Sequence, residues 1–285
     1  MATDLGGLSI LVTRAVHQAD TLCALIEEQS GDAVRFPVTV IESPVDQKVL
    51  ERAVATVELA DIVIFVSPNA VAFGLQALGR YKINIPPTAE VLAVGPGTAN
   101  RLAARGQHVS GVPEHAFNSE GLLQLPQLQS VRGHRVVIFR GQGGRQILHD
   151  RLVIAGAAVD HVECYRRTQP ARFDSKVLDR WCKGYLDIVI LTSITAFENL
   201  LELLGEEHDL LLEGATIATV SQRIEQHCRD RGCRGAILVS DKASDESLVK
   251  AMMRWDRRTP RQSSVSGDRK TLSQLAGGGQ SADGR

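Results

Sequence analysis

The sequence lacks the features that mark membrane-spanning and secreted proteins. No apolar run approaches the ~18 residues of a membrane span. The first residues, Met1-Ala2-Thr3-Asp4, contain neither the basic nor the apolar region of a signal peptide. The five cysteines form no CxxC pair, and an odd number of cysteines in such a chain is typical of reduced thiols. We therefore expect a cytoplasmic protein.

The chain also lacks an excess of either basic or acidic residues, but these residues are unevenly distributed along it. The chain has 32 basic and 33 acidic residues. Residues 256–285 contain six basic and three acidic residues, which leaves 26 basic against 30 acidic residues in 1–255. A mildly acidic body argues against binding to nucleic acid. Because residues 257–285 are rich in serine and glycine and poor in apolar side chains, we expect a disordered tail there.

Several catalytic and nucleotide-binding motifs are absent. Gly95-Pro96-Gly97 lacks the third glycine of a dinucleotide-binding fingerprint, and the loop 141–144 lacks the Lys-Ser/Thr of a P-loop. Neither GxSxG nor HExxH occurs. Cys228 and Cys233, beside His227, have no second ligand cluster at zinc-finger spacing, so we expect no metal site.

What the chain does contain is an alternation of short apolar runs with helical stretches. Residues 61–66 (DIVIFV) are an almost continuous apolar run, as expected of a strand buried on both faces. Similar runs occupy 8–12, 91–94, 135–139, 187–191 and 216–220. This pattern predicts an α/β fold with parallel sheets covered by helices on both faces. A length of 285 residues corresponds to about two domains.

An internal repeat with a constant offset of 126 residues is the strongest signal in the sequence. Residues 61–64 (DIVI) match 187–190 without a difference, and the offset holds from Arg14, which matches Arg140, to Leu122, which matches Leu248. Two arbitrary α/β units share one such strand by chance but not a fixed register over this length. We therefore predict a duplicated folding unit.

Two extended segments, 35–41 and 161–167, are equivalent under this offset. Each follows only one strand and one helix of its unit, which is too early to end a domain. We therefore expect the chain to leave the first domain early, build a second, and return. The predicted boundaries are a first domain of 1–35 and 168–256, a second domain of 42–160, a linking ribbon of 36–41 and 161–167, and the tail 257–285.

Ligands of doubly wound sheets bind at the carboxyl ends of the strands, where this sequence places glycines, hydroxyls and a few arginines. Each hydroxyl alone is explained equally well as a helix N-cap, and each arginine as a surface ion pair. Together, they make an anion-binding edge of helix N-termini. The candidate binding residues are Arg14, Ser67, Asn69, Gly95, Gly97, Thr98, Arg140, Gly141, Gly144, Arg145, Thr192, Ser193 and Ser221.

Seven segments in order resemble the uroporphyrinogen-III synthase family, over residues 8 to about 255. The family diverges strongly, so each segment is weak alone, but their order and spacing are specific. Ala15 departs from the proline that often follows the first arginine. The segments are ILVTR at 10–14, FPVTVIES at 36–43, DIVIFVSPNAV at 61–71, AVGPGTA at 93–99, NSEGLL at 118–123, ECYRR at 163–167 and LTSITAFENLLELL at 191–204.

The resemblance implies two flavodoxin-like domains joined by a two-stranded β-ribbon, with the second domain inserted in the first. It implies a cofactor-free, monomeric hydro-lyase that cyclises hydroxymethylbilane, a linear tetrapyrrole with eight carboxylates, to uroporphyrinogen III with inversion of ring D. A transient contact with the preceding pathway enzyme is a further expectation.

Tyr165 matches the family's ribbon tyrosine, for which the resemblance implies a general-acid role. From composition alone, an ordinary packing tyrosine is the simpler interpretation. The alternative function is a non-catalytic, two-lobed anion-binding or sensory module, because fold does not fix function. Such a module would bind a carboxylate ligand without forming product.

Overall fold

A computed structural model describes residues 4–171 and 173–255 of the chain. These residues fold into an α/β structure with two five-stranded sheets, as predicted. The elements follow in the order β1 (Ser9–Val12), α1 (Val16–Glu28), β2 (Asp32–Arg35), β3 (Val40–Glu42), α2 (Gln47–Ala55), β4 (Ile62–Phe65), α3 (Pro68–Tyr81), β5 (Glu90–Ala93), α4 (Pro96–Ala103), α5 (Ser119–Leu122), β6 (Arg135–Gly141), α6 (Ile147–Ile154), β7 (Ala158–Thr168), α7 (Ser175–Cys182), β8 (Ile188–Leu191), α8 (Ile194–Leu204), β9 (Thr216–Thr219), α9 (Gln222–Asp230), β10 (Ile237–Val239) and α10 (Asp245–Met253).

The described residues divide into two compact units. The first unit consists of 4–12, 21–34 and 176–255, and the second unit of 13–20, 35–171 and 173–175. The predicted tail, 257–285, lies outside the described residues. No helix in the described part of the chain is long and apolar enough to cross a membrane.

The sheet of the first unit has the strand order β10-β9-β8-β1-β2. Strands β1 and β8 pair in parallel, and so do β8 with β9 and β9 with β10. Every residue of β1 and of β8 is buried, which explains why β8 is apolar throughout and β1 is apolar after Ser9, without alternation.

The sheet of the second unit has the order β3-β7-β6-β4-β5. Strands β7, β6, β4 and β5 are parallel, and β3 runs antiparallel to the end of β7. Side chains of successive residues point to opposite faces of a strand. Accordingly, Val63 and Phe65 of β4 join one buried cluster, whereas Ile62 and Ile64 join another. This sheet is therefore packed on both faces.

The 126-residue offset of the sequence reappears in the positions of the elements. Strand β4 begins at Ile62 and β8 at Ile188, and both have four residues. The helix that follows each strand is capped in the same way. Ser67 Oγ accepts the backbone N–H of Ala70 at 3.0 Å, and Ser193 Oγ accepts that of Ala196 at 3.0 Å. Equivalent residues therefore form equivalent local structure in the two units.

The linking ribbon differs in detail from the sequence prediction. The antiparallel pairing joins residues 40–42 to 166–168. Residues 161–165, which were expected in the ribbon, instead pair with β6 inside the sheet of the second unit. Strand β7 is thus one continuous strand that begins in the parallel sheet and ends against β3. The reason is that an extended, half-apolar segment is equally compatible with a sheet strand and with a ribbon.

Candidate active site

A pocket of about 230 Å³ lies at the carboxyl ends of the parallel strands of the second unit. Ser67 follows β4, and Arg140 and Gly141 end β6. The loop after β6 adds Arg145, and β7 adds Tyr165. This is the edge at which open α/β sheets bind their ligands.

The pocket brings together six of the residues that the sequence singled out. They are Ser67, Arg140, Gly141, Gly144, Arg145 and Tyr165. The other eight candidates do not line it. Arg14 is half-buried, Asn69, Gly95 and Thr98 are buried, and Gly97 is exposed, all in the second unit, whereas Thr192, Ser193 and Ser221 belong to the first unit.

The hydroxyl of Tyr165 is the centre of a small hydrogen-bonded group. Its oxygen lies 3.1 Å from Ser67 Oγ, and either hydroxyl is able to donate. Arg167 Nη2 donates to the same phenol oxygen at 3.2 Å. The guanidinium carbon of Arg167 also lies 5.3 Å from the centre of the tyrosine ring, within the range of a cation–π contact. The phenol oxygen therefore has two polar neighbours.

The ring of Tyr165 is held by its surroundings, and only 2% of the residue is exposed. It packs against Phe73 of α3, with ring centres 5.9 Å apart. It also lies against Gly141 of β6, where a β-carbon would overlap the tyrosine ring. A register shift between Arg140 and Gly141 marks a bulge where β7 passes β6. Such bulges re-aim side chains near functional sites.

Arg140 is buried in the pocket wall without a matching carboxylate. The residue is 4% exposed, and its Nη2 has no hydrogen-bond partner in the described structure. Its Nε donates only a long bond of 3.4 Å to Gly141 O. Gly144 lies so close to the guanidinium that a β-carbon there would overlap it. A buried, incompletely paired guanidinium is costly unless an anion completes it.

Two histidines adjoin Arg140 in the same pocket. The rings of His149 and His161 are 4.8 Å apart. Burial, together with the charge of Arg140 and the neighbouring His149, lowers the pKa of His161 to about 4. Asp160 and Asp150 act in the opposite direction but do not offset this. His161 is therefore neutral at pH 7, and the arginines supply the positive charge of the pocket.

Among the described residues, the side chains that line the pocket include no aspartate or glutamate. They include three arginines, at 140, 145 and 167. The pocket consequently favours a negatively charged group, although residues 1–255 of the chain carry a net negative charge.

Cys164 of β7 does not provide a nucleophile. Its Sγ lies 3.6 Å from Ala70 O and 3.5 Å from Arg140 O, and it donates into these carbonyls. Burial raises the pKa of the thiol to about 12. The thiolate, which is the reactive form, is therefore not populated near neutral pH.

The two cysteines near His227, Cys228 and Cys233, are both free and buried. His227 Nε2 contacts Glu198 Oε1 at 2.6 Å. Within residues 4–171 and 173–255, no group of three or more potential metal ligands comes together.

Sequence reasoning missed Arg167, His149 and His161. Arg167 had a usable signal: it lies two positions after Tyr165 on a strand, so both side chains point to the same face. The two histidines had none, because they come from α6 and β7 and meet only through the packing of that helix on the sheet.

Comparisons with known proteins find relatives that share one description. A family model described as uroporphyrinogen-III synthase HemD matches residues 20–250. The uroporphyrinogen-III synthase of Escherichia coli K12 is 30% identical over 249 residues, which are 86% of this chain and all of that protein. The enzyme of the same name from Salmonella typhimurium LT2 is 31% identical over 248 residues, again 86% of this chain and all of that protein.

A solved structure shares the fold. It is a mutant uroporphyrinogen III synthase from the extremely thermophilic bacterium Thermus thermophilus, with a TM-score of 0.57 and 18% identity. The match covers 87% of this chain and 98% of that one.

Proposed function

Because the chain belongs to the uroporphyrinogen-III synthase family, and is therefore a cyclising lyase of tetrapyrrole biosynthesis, we propose that Tyr165 is the general acid of its reaction. The enzyme converts hydroxymethylbilane into uroporphyrinogen III with inversion of ring D and loss of water. The difficult step is departure of the terminal hydroxyl, because hydroxide is a poor leaving group. A positioned acid that protonates it as the C–O bond breaks removes this difficulty.

The observation that carries the proposal is the placement of the Tyr165 hydroxyl in a pocket that favours anions. His161 is a poor alternative, because a pKa of about 4 leaves it without a proton to give as an imidazolium at neutral pH. The arginines of the pocket serve as anion-binding groups rather than as acids. What favours Tyr165 as the acid is that its hydroxyl lies within hydrogen-bond distance of both Ser67 and Arg167.

After the hydroxyl leaves, the cationic azafulvene closes through a spiro intermediate. This stage needs little from side chains beyond holding the two ends of the chain together, which contributes on the order of 7–11 kcal/mol at best. We propose that Arg140 and Arg145, with the backbone of Gly141 and Gly144, hold carboxylates of the substrate. Among the described residues, Nη2 of Arg140 has no hydrogen-bond partner, which supports this assignment.

The remaining candidates stay proposed substrate contacts. They are Arg14, Asn69, Gly95, Gly97, Thr98, Thr192, Ser193 and Ser221. Backbone N–H groups at helix N-termini are their common feature, as in α8 after Ser193 and α9 after Ser221.

We further propose that the two units are flavodoxin-like domains joined by the ribbon, with the second inserted in the first. The strand order β2-β1-β8-β9-β10 supports this, because it corresponds to the 2-1-3-4-5 order of such sheets. A monomeric state, a cytoplasmic location and a transient contact with the preceding pathway enzyme complete the proposal.

The test is conversion of hydroxymethylbilane, with the product isomers separated and quantified. Tyr165→Phe should lower kcat on the order of 10²–10⁴-fold and leave the far-UV circular dichroism unchanged. Tyr185→Phe, at an exposed tyrosine of the first unit, is the control and should be as active as the natural chain. Full activity of Tyr165→Phe would remove the general-acid assignment. Binding of a carboxylate without any type III product would favour the sensory alternative.

A further inference from the structure

Adjacent arginines at the end of β7 have different partners. Arg166 Nη2 forms an ion pair with Glu42 Oε1 at 2.6 Å across the antiparallel pair β3–β7. Arg167 Nη2 donates instead to the phenol oxygen of Tyr165 at 3.2 Å. In the part of the chain that the structure describes, Arg167 forms no ion pair with a carboxylate. Its charge is therefore available to the tyrosine.

Ser67 lies beside the same phenol oxygen. Its Oγ already accepts the N–H of Ala70, which fixes the hydroxyl at the start of α3. The hydroxyl proton is not used in that bond. It is free to rotate toward Tyr165, whose oxygen is 3.1 Å away. Two donors, one of them cationic, thus converge on one phenol oxygen.

We propose that Arg167, with Ser67, stabilises the phenolate that Tyr165 becomes when it gives its proton to the leaving hydroxyl. This inference rests on the general-acid role of Tyr165. Arg167 acts here through the tyrosine and is a positioning residue, because its N–H group donates to the phenol oxygen and not to the reacting atoms.

The proton balance of the step is complete. The phenol O–H and the substrate C–O bond break, water leaves, and the organic fragment becomes the cationic azafulvene. The negative charge then rests on the Tyr165 oxygen, where Arg167 and Ser67 donate to it. Closure of the macrocycle releases a proton from the attacked pyrrole carbon, and that proton restores the phenol. No oxidant, reductant or co-reactant is required.

The effect should appear in turnover rather than in binding. Hydrogen bonds that strengthen as the phenol becomes a phenolate raise kcat and leave the affinity for substrate unchanged. Because Arg167 is exposed, screening by water reduces its contribution, and we expect about a 10-fold loss of kcat for Arg167→Met. Arg167→Lys keeps the charge but not the guanidinium geometry, and should recover part of the loss.

The decisive experiment measures kcat and KM for hydroxymethylbilane in Arg167→Met, Arg167→Lys and the matched control Arg166→Gln. Each protein is also made with a fluorotyrosine at position 165, which is a stronger acid than tyrosine. We expect Arg167→Met to lose about 10-fold in kcat with KM within about twofold. The fluorotyrosine should restore much of that loss, because a phenolate that is intrinsically stable needs less help. Arg166→Gln should keep normal turnover.

Three outcomes would overturn the inference. One is a rise in KM at unchanged kcat in Arg167→Met, which would make Arg167 a substrate carboxylate contact. Another is a loss that fluorotyrosine does not relieve, and the third is an equal loss in Arg166→Gln. A fully active Tyr165→Phe would instead contradict the general-acid proposal itself. Inactive Tyr165→Phe together with fully active Arg167→Met would remove the role of Arg167 alone.

Discussion

A β-carbon on Gly141 would stand 2.6 Å from the Cε2 and Cζ atoms of Tyr165. The glycine therefore leaves the space into which the tyrosine ring fits, and it does so at the bulge where β6 and β7 change register. Residue 141 contributes to the site because it has no side chain. Its role is steric, since its φ lies outside the left-handed region.

Gly141→Ala should displace the Tyr165 ring and lower kcat. Shifts of about 1 Å in a catalytic group cost on the order of 100-fold in rate, and we expect a loss of this size. Steady-state kinetics with hydroxymethylbilane measures it. Gly79→Ala is the control, because a β-carbon at that helical position meets nothing within 4 Å. It should keep turnover and gain about 0.5–1 kcal/mol in the free energy of unfolding. Normal activity of Gly141→Ala would show that the ring tolerates displacement.

Ser67→Ala should affect both stability and turnover. Loss of the N-cap of α3 costs about 1 kcal/mol in the free energy of unfolding. Loss of one neutral donor to Tyr165 costs about fivefold in kcat. Asp46→Ala separates the two effects, because Asp46 caps α2 through Lys48 and Val49 and lies outside the pocket. It should show the same fall in denaturant midpoint with unchanged kcat. Equal kinetic losses in both variants would reduce the role of Ser67 to capping.

Arg140→Met should weaken substrate binding without destabilising the fold. Within the described part of the chain, the buried guanidinium forms one long hydrogen bond and its Nη2 has no partner, so an apolar side chain of similar length costs little. We expect an unfolding free energy equal to or about 1 kcal/mol above that of the natural chain, and a KM raised about 10-fold. Arg151→Met, at an exposed position of α6, controls for the substitution itself. A marked loss of stability in Arg140→Met would identify a structural arginine instead.

His161 should make the second unit less stable in acid. Its pKa falls from 6.5 to about 4 on folding, so between these values the unfolded chain binds more protons than the folded one. Above pH 6.5 His161 is neutral in both states and costs no stability. As the pH falls from 6.5 toward 4, protonation favours the unfolded chain, and the free energy of unfolding decreases. His161→Phe keeps a ring beside His149 and removes this titration. Urea unfolding between about pH 4.5 and 7.5 should show a shallower loss for His161→Phe than for the natural chain, while the exposed His134→Phe keeps the original slope. Identical slopes in all three proteins would place the source of acid sensitivity elsewhere.

Local structure and its repetition follow from the amino-acid sequence. Apolar runs such as 61–66 become buried strands, because parallel strands covered on both faces bury every side chain. Ser67 and Ser193 cap helices at equivalent positions, because a serine before an apolar helix satisfies a free backbone N–H in any context. These features depend on neighbours a few residues away. The internal repeat shows these strands and caps at two equivalent positions of the chain.

Which of these residues meet depends instead on how the strands pair and the helices pack. Ser67 and Tyr165 are 98 positions apart in the chain and share a hydrogen bond because β4, β6 and β7 lie side by side. The burial of Arg140 beside His161 follows from that same pairing and from the packing of α6. The length of β7 was likewise not predictable from the sequence, because one uniform extended segment pairs first with β6 and then with β3. Strand pairing is set by contacts distant in sequence, and no local pattern of residues encodes them.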